Sequence, residues 1–90
     1  MSATVFYGTI DSTMIPVPVI ASYDTEGNIL PLYLGYKGES YKILSATFKP
    51  EYDIKTFQCK IDVYGRVRNV TLSYHPCENV WTIPRQPRNR

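Results

Sequence analysis

From Phe57 to Val63 the chain alternates without a break. Phe57, Cys59, Ile61 and Val63 fall on one side, and Gln58, Lys60 and Asp62 on the other. A period of two is the signature of a strand with one buried face, and it rules out a helix over this stretch. Gly65-Arg66 follows, after which Val70, Leu72 and Tyr74 return at the same spacing. A Gly-X pair between two such runs predicts a type II′ hairpin, whose first central residue needs a positive φ. That loop sets Phe57 opposite Tyr74, Cys59 opposite Leu72, and Ile61 opposite Val70. Gln58, Lys60 and Asp62 then face Ser73, Thr71 and Asn69. A slip of one residue would exchange the two faces, so the pattern itself specifies the register.

A second hairpin repeats the device. Leu30 to Tyr36 and Tyr41 to Phe48 flank a loop centred on Gly38-Glu39. Its register pairs Tyr36 with Tyr41, Leu34 with Ile43, Leu32 with Ser45, and Leu30 with Thr47. On its other face Ile29 meets Phe48 and Tyr33 meets Leu44, so both faces are apolar and both need cover. Upstream, Ile15, Val17, Val19, Ala21 and Tyr23 alternate around Pro16 and Pro18. Two prolines spaced by two remove N–H donors from one side only, which suits an edge strand. Asp24 to Asn28 reads as a turn. Pro31 implies that pairing starts at Leu32 or that the strand carries a bulge.

Lys49 to Thr56 reads as the longest internal loop, with a single helical turn within Pro50 to Ile54. His75 to Asn79 reads as a shorter loop before a last strand, Val80 to Ile83. Thr4 to Ile10 is a weak further strand. The expected fold is all-β, a five- to six-stranded antiparallel barrel built from meander hairpins. Residues 1–84 form one domain, and residues 85–90 form a basic disordered tail.

Ninety residues support one hydrophobic core, and an apolar content of 43% argues against disorder. Eight tyrosines suit half-buried strand faces and contact surfaces. The net charge is +2, yet Arg85, Arg88 and Arg90 all lie in the last six residues. The rest of the chain carries a small negative balance, unlike a protein that coats nucleic acid. No apolar run reaches the roughly 20 residues needed to cross a bilayer. The first residues show no basic segment followed by a hydrophobic stretch, so a cytoplasmic location is expected.

Cys59, His75 and Cys77 are the only soft metal ligands, one short of a tetrahedral site and without a Cys-x-x-Cys pair. No metal, cofactor or small-molecule substrate is expected. His75 reads as a solvated loop histidine with no nucleophile or orienting carboxylate at a useful spacing. The glycines serve separate turns and form no phosphate loop. The chain therefore reads as a non-enzymatic interaction module that binds a protein or itself. Its expected contact residues are Tyr33 and Leu44 on the doubly apolar hairpin, or Pro16 and Pro18 on the edge strand. The alternative is a nucleic-acid-binding protein using Arg66, Arg68, Arg85, Arg88 and Arg90, with Tyr33, Tyr52 or Tyr64 as stacking faces.

One resemblance spans Val17 to Ile83, about three-quarters of the chain. It rests on the glycine turn Asp24 to Asn28, Pro31, Gly38, Tyr41-x-Ile43, the hairpin at Gly65 and the closing Trp81-x-Ile83. In these features the chain is similar to small bacterial β-proteins with SH3-like barrels, and to accessory proteins carried on conjugative transposons of Gram-positive bacteria. The resemblance implies a β-barrel and a cytoplasmic location. It brings no catalytic or binding residues with it.

Overall fold

The computed structural model describes residues 10–51 and 53–85. They form seven strands: β1 (Met14–Val17), β2 (Val19–Tyr23), β3 (Ile29–Tyr36), β4 (Glu39–Pro50), β5 (Lys55–Val63), β6 (Arg66–His75) and β7 (Val80–Pro84). The strands make one antiparallel sheet in the order β1-β7-β6-β5-β4-β3-β2. The all-β expectation holds, and the strand count is corrected from five or six to seven. The extra strand arises at Pro18, which divides what reads in sequence as a single edge strand.

Pro18 also shapes the sheet. Val17 pairs with Trp81 on β7, and Val19 pairs with Leu34 on β3, so the two outermost strands are successive in the chain. At a strand rise of about 3.3 Å per residue, the two sheet edges meet within roughly 7 Å. The sheet must curl, and it forms a half-barrel. At the corner the Gly35 amide donates to the Pro18 carbonyl at 2.9 Å. A Cβ at Gly35 would stand 2.7 Å from Pro18 Cγ, so only glycine fits there without a shift.

Both hairpins sit two residues from the expected register. Val63 pairs with Arg66 and Tyr36 with Glu39, which makes the loops Tyr64-Gly65 and Lys37-Gly38. Tyr64 (φ 53°) and Gly65 (φ 86°) are both left-handed, as are Lys37 (φ 50°) and Gly38 (φ 82°). These are type I′ turns, with glycine second rather than first, and their twist matches that of the flanking strands. The Gly65 amide donates to Asp62 Oδ1 at 2.8 Å and fixes the first loop. Phe57 now faces Leu72, Cys59 faces Val70, and Ile61 faces Arg68. In the second hairpin Leu34 faces Tyr41 and Tyr33 faces Lys42.

Two bulges set the rest of the architecture. Between β2 and β3 the register steps from Ile20–Tyr33 to Ala21–Pro31, leaving Leu32 unpaired. Pro31 is thus accommodated by a bulge, one of the two outcomes its position implied. Between β4 and β5 the register steps from Ile43–Ile61 to Ser45–Lys60, leaving Leu44 unpaired. Beyond that point β4 leaves β3 and pairs only with β5. The expected pairs Ile29–Phe48 and Leu30–Thr47 do not form, and Phe48 faces Phe57 instead. Strand β4 runs on to Pro50 and β5 starts at Lys55, so the expected long loop shrinks to residues 51–54. No helix occurs among the described residues, so none is long and apolar enough to cross a membrane. Residues 4–9 of the expected first strand lie outside the described residues, and Ile10 belongs to no strand.

The inner face of the curl carries the core: Val17, Ile29, Leu34, Ile43, Phe57, Cys59, Ile61, Leu72, Trp81 and Ile83. Each large side chain buried there contributes about 1.5–3 kcal/mol relative to exposure. Phe48, Phe57, Trp81 and Tyr74 meet in succession at tilted angles, with ring centroids 5.4, 5.9 and 4.9 Å apart.

Candidate contact surfaces

A bulge breaks strict alternation, so two consecutive side chains point the same way. Leu32 and Tyr33 both face outward on β3, between inward Pro31 and Leu34. Leu44 and Ser45 both face outward on β4, between inward Ile43 and Ala46. Outward Ile20 stands opposite Tyr33. The result is one exposed apolar surface across β2, β3 and β4. Ile20 is 61% exposed, Leu44 48%, Leu30 46%, Tyr33 40% and Leu32 36%. Pro16 and Pro18 are exposed too, and alternation from the buried Val17 turns both away from the core. Of the expected contact residues, Tyr33 and Leu44 thus share this face and Pro18 borders it at Gly35, while Pro16 stands opposite Thr82 on β7. The sequence pattern missed Ile20, Leu30 and Leu32, since it placed Leu30 and Leu32 inside.

A cleft of about 410 Å³ opens where β4 departs from β3. Ser22, Asp24, Asn28, Ile29 and Leu30 form one wall, and Ala46, Phe48, Lys55 and Phe57 the other. Asp24 spends its carboxylate on its own turn, accepting from the Glu26 and Asn28 amides at 2.8 Å each and from Asn28 Nδ2 at 2.8 Å. Those bonds hold its carboxyl below the usual range, the Asn28 side chain contributing most. Lys55 places its ammonium 5.8 Å from the centre of the Phe48 ring, with no carboxylate partner among the described residues.

A second cleft, of about 350 Å³, lies at the hairpin end of the curl, where Arg68 meets Tyr36, Tyr41, Ile61 and Pro84. Arg66 and Arg68 face Val63 and Ile61, so they occupy the inner side of the sheet beyond the core. The expected all-apolar inner face of this hairpin thus ends in two arginines, while Val67 is 60% exposed on the outside. Tyr64 packs edge-on against Tyr41 at 6.3 Å. The Glu39 carboxylate beside it, more than burial, raises the Tyr64 phenol. Arg85 is tied to the chain entering β1: its amide donates to the Thr13 carbonyl at 2.8 Å and its Nε to the Ser12 carbonyl at 2.9 Å. Tyr52, Arg88 and Arg90 lie outside the described residues.

His75 is not a solvated loop residue. It ends β6 fully buried, with Nε2 2.8 Å from Thr82 Oγ1. Burial lowers its pKa below the ordinary 6.5, against the pull of the Glu78 and Asp11 carboxylates. Cys59 is buried within the curl, and desolvation pushes its thiol up to about 11, while Cys77 is exposed in a turn. Among the described residues no three metal-ligating side chains come together.

No family model, curated protein or solved structure matches this chain, so the functional reading proceeds from its geometry.

Proposed function

We propose that the chain is a non-enzymatic, SH3-like interaction module that presents the outer face of β2, β3 and β4 to a protein partner or to a second copy of itself. One observation carries this reading: five large apolar side chains, Ile20, Leu30, Leu32, Tyr33 and Leu44, stand exposed together on that face. Scattered surface leucines are ordinary, but large exposed apolar side chains gathered on one face point to a contact surface. The two bulges support it, because they turn apolar residues outward that strict alternation would have buried. The resemblance to accessory proteins of conjugative transposons adds only a proposed cytoplasmic location to this reading.

Light scattering and crosslinking of wild type, Ile20→Lys and Leu44→Lys at micromolar concentration test the reading. A dimer or a co-purifying protein that either substitution disperses supports it. A wild-type monomer whose crosslinking and solubility are unchanged by both substitutions counts against it.

A second reading has its own observation. Arg68 lines a cleft with Tyr36 and Tyr41, a combination that suits a nucleobase with its phosphate. Anisotropy with labelled single-stranded DNA and RNA should then show binding that weakens with salt. Arg68→Ala should reduce the salt slope by about one. Binding that ignores Arg68 and salt removes this reading.

A further inference from the structure

The separation of β3 from β4 leaves two strand edges facing each other across the first cleft. Backbone groups along an antiparallel strand point alternately to its two neighbours. Because Val63–Arg66 closes a two-residue loop, odd-numbered residues of β5 bond toward β6 and even-numbered ones toward β4. Ser45, Thr47 and Lys49 therefore bond with Lys60, Gln58 and Thr56. The N–H and C=O groups of Ala46 and Phe48 must point the other way, into the cleft. The same alternation applies on β3. The Gly35–Pro18 and Asp24–Asn28 bonds fix which residues face β2. The backbone of Ile29 and the carbonyl of Pro31 are thereby turned toward the cleft. No described strand pairs with either edge there. Unpaired main-chain groups beside an apolar surface form a template for another strand.

We propose that this cleft receives an extended segment of a partner protein, which adds to the free edge of β4 at Ala46 and Phe48. The chemistry of the walls specifies the segment. Ala46, Phe48 and Phe57 face the inner side, so the added strand turns alternate side chains onto them, and these are apolar. Lys55, on the same side and opposite Pro50, stands at the end of that row without a described carboxylate. An acidic side chain two residues beyond an apolar one meets it. Added antiparallel to β4, the expected occupant reads acidic-x-apolar-x-apolar, held by main-chain bonds for affinity and by the row of inward pockets for selectivity. This inference shares with the preceding section only the premise that the chain is a binding module. It concerns the cleft, not the outer face.

Selection from a phage library of random linear peptides, followed by NMR titration of the selected synthetic peptides, tests it. The expected peptides carry the acidic-x-apolar-x-apolar pattern and shift the amides of Ile29, Ala46 and Phe48. Ala46→Pro removes an N–H that β5 does not use, and should weaken binding about tenfold, the loss of one main-chain bond together with poorer edge fit. N-methylation of alternate peptide amides, which leaves the protein untouched, should weaken binding for one alternation and not the other. Lys55→Glu should reverse the preference at the acidic position. Peptides that instead shift Ile20, Tyr33 and Leu44 overturn the cleft assignment while supporting the outer face. Absence of any enriched peptide, or indifference to amide N-methylation, overturns it outright.

Discussion

Substituting Gly35 by alanine isolates the corner on which the curl depends. The added methyl would lie 2.7 Å from Pro18 Cγ and 3.5 Å from the Pro18 carbonyl oxygen. Carbon atoms are comfortable at about 3.5–4.0 Å, so the overlap is on the order of 1 Å. A flexible side chain could swing aside. A pyrrolidine ring cannot, and here it sits between the two strands that form opposite edges of the sheet. Forcing a methyl into such a site costs about 1–3 kcal/mol. Gly35 does not have a positive φ, so alanine also restricts the unfolded chain, which returns about 0.4–1 kcal/mol. The net expectation is a loss of about 1–2 kcal/mol. For a domain of this length that lowers Tm by roughly 5–15 °C. Thermal melts and urea titrations of Gly35→Ala, Pro18→Ala and the double variant give the cycle. If contact with the ring is the cause, the double variant is more stable than the sum of the single changes predicts. Gly35→Ala matching or exceeding wild type, or strict additivity in the cycle, would refute the argument.

Three further outcomes follow from the same structure. His75 is buried with a lowered pKa, so the unfolded chain binds its proton more readily. Its contribution to stability is present above pH 6.5 and is lost as pH falls from there through the folded value; urea midpoints should drop from pH 7.5 to pH 5.5, and less so in His75→Gln. Lys37→Asn should raise stability by about 0.5 kcal/mol, because asparagine tolerates the left-handed first position of a type I′ turn better than lysine; an unchanged or lower urea midpoint would contradict the turn assignment. In native protein a thiol reagent should modify Cys77 at once and reach Cys59 only on unfolding. Equal rates would contradict the burial of Cys59.

The strands were readable because Phe57 to Val63 and their partners repeat with a period of two, and burial follows that period directly. The register was not, and the reason lies in the same period. Shifting Phe57 from Tyr74 to Leu72 moves the strand by two and leaves every face intact. Only the choice between Gly-Arg and Tyr-Gly as the loop decides it, and that turns on left-handed φ values at Tyr64 and Lys37 that neither residue advertises. The exposed apolar face is half legible in the sequence. A hairpin with apolar residues to spare points to Tyr33 and Leu44, but the same alternation turns Leu30 and Leu32 inward, whereas both stand exposed. Bulges overrule it, and Pro31 was the one local sign of them. His75 reads as a loop residue because Pro76 and Cys77 after it form a turn. The turn begins one position later, and His75 completes a strand whose neighbour supplies Thr82.

The strand pair that seals the curl also governs how the chain reaches its native state. The β2–β6 pairings join neighbouring segments, so each costs little chain entropy to form. Met14 and Pro84 lie about 70 positions apart, and the loop between them must be closed before their pairing returns anything. The meander from β2 to β7 is thus the natural nucleus, since β7 follows β6 across a short turn, and β1 docks last. During synthesis on a ribosome, β1 emerges first and waits for β7, its strand partner, to be made. Through that interval Ile15 and Val17 have no pairing partner, and Pro16 and Pro18 guard the waiting segment against pairing with the wrong one.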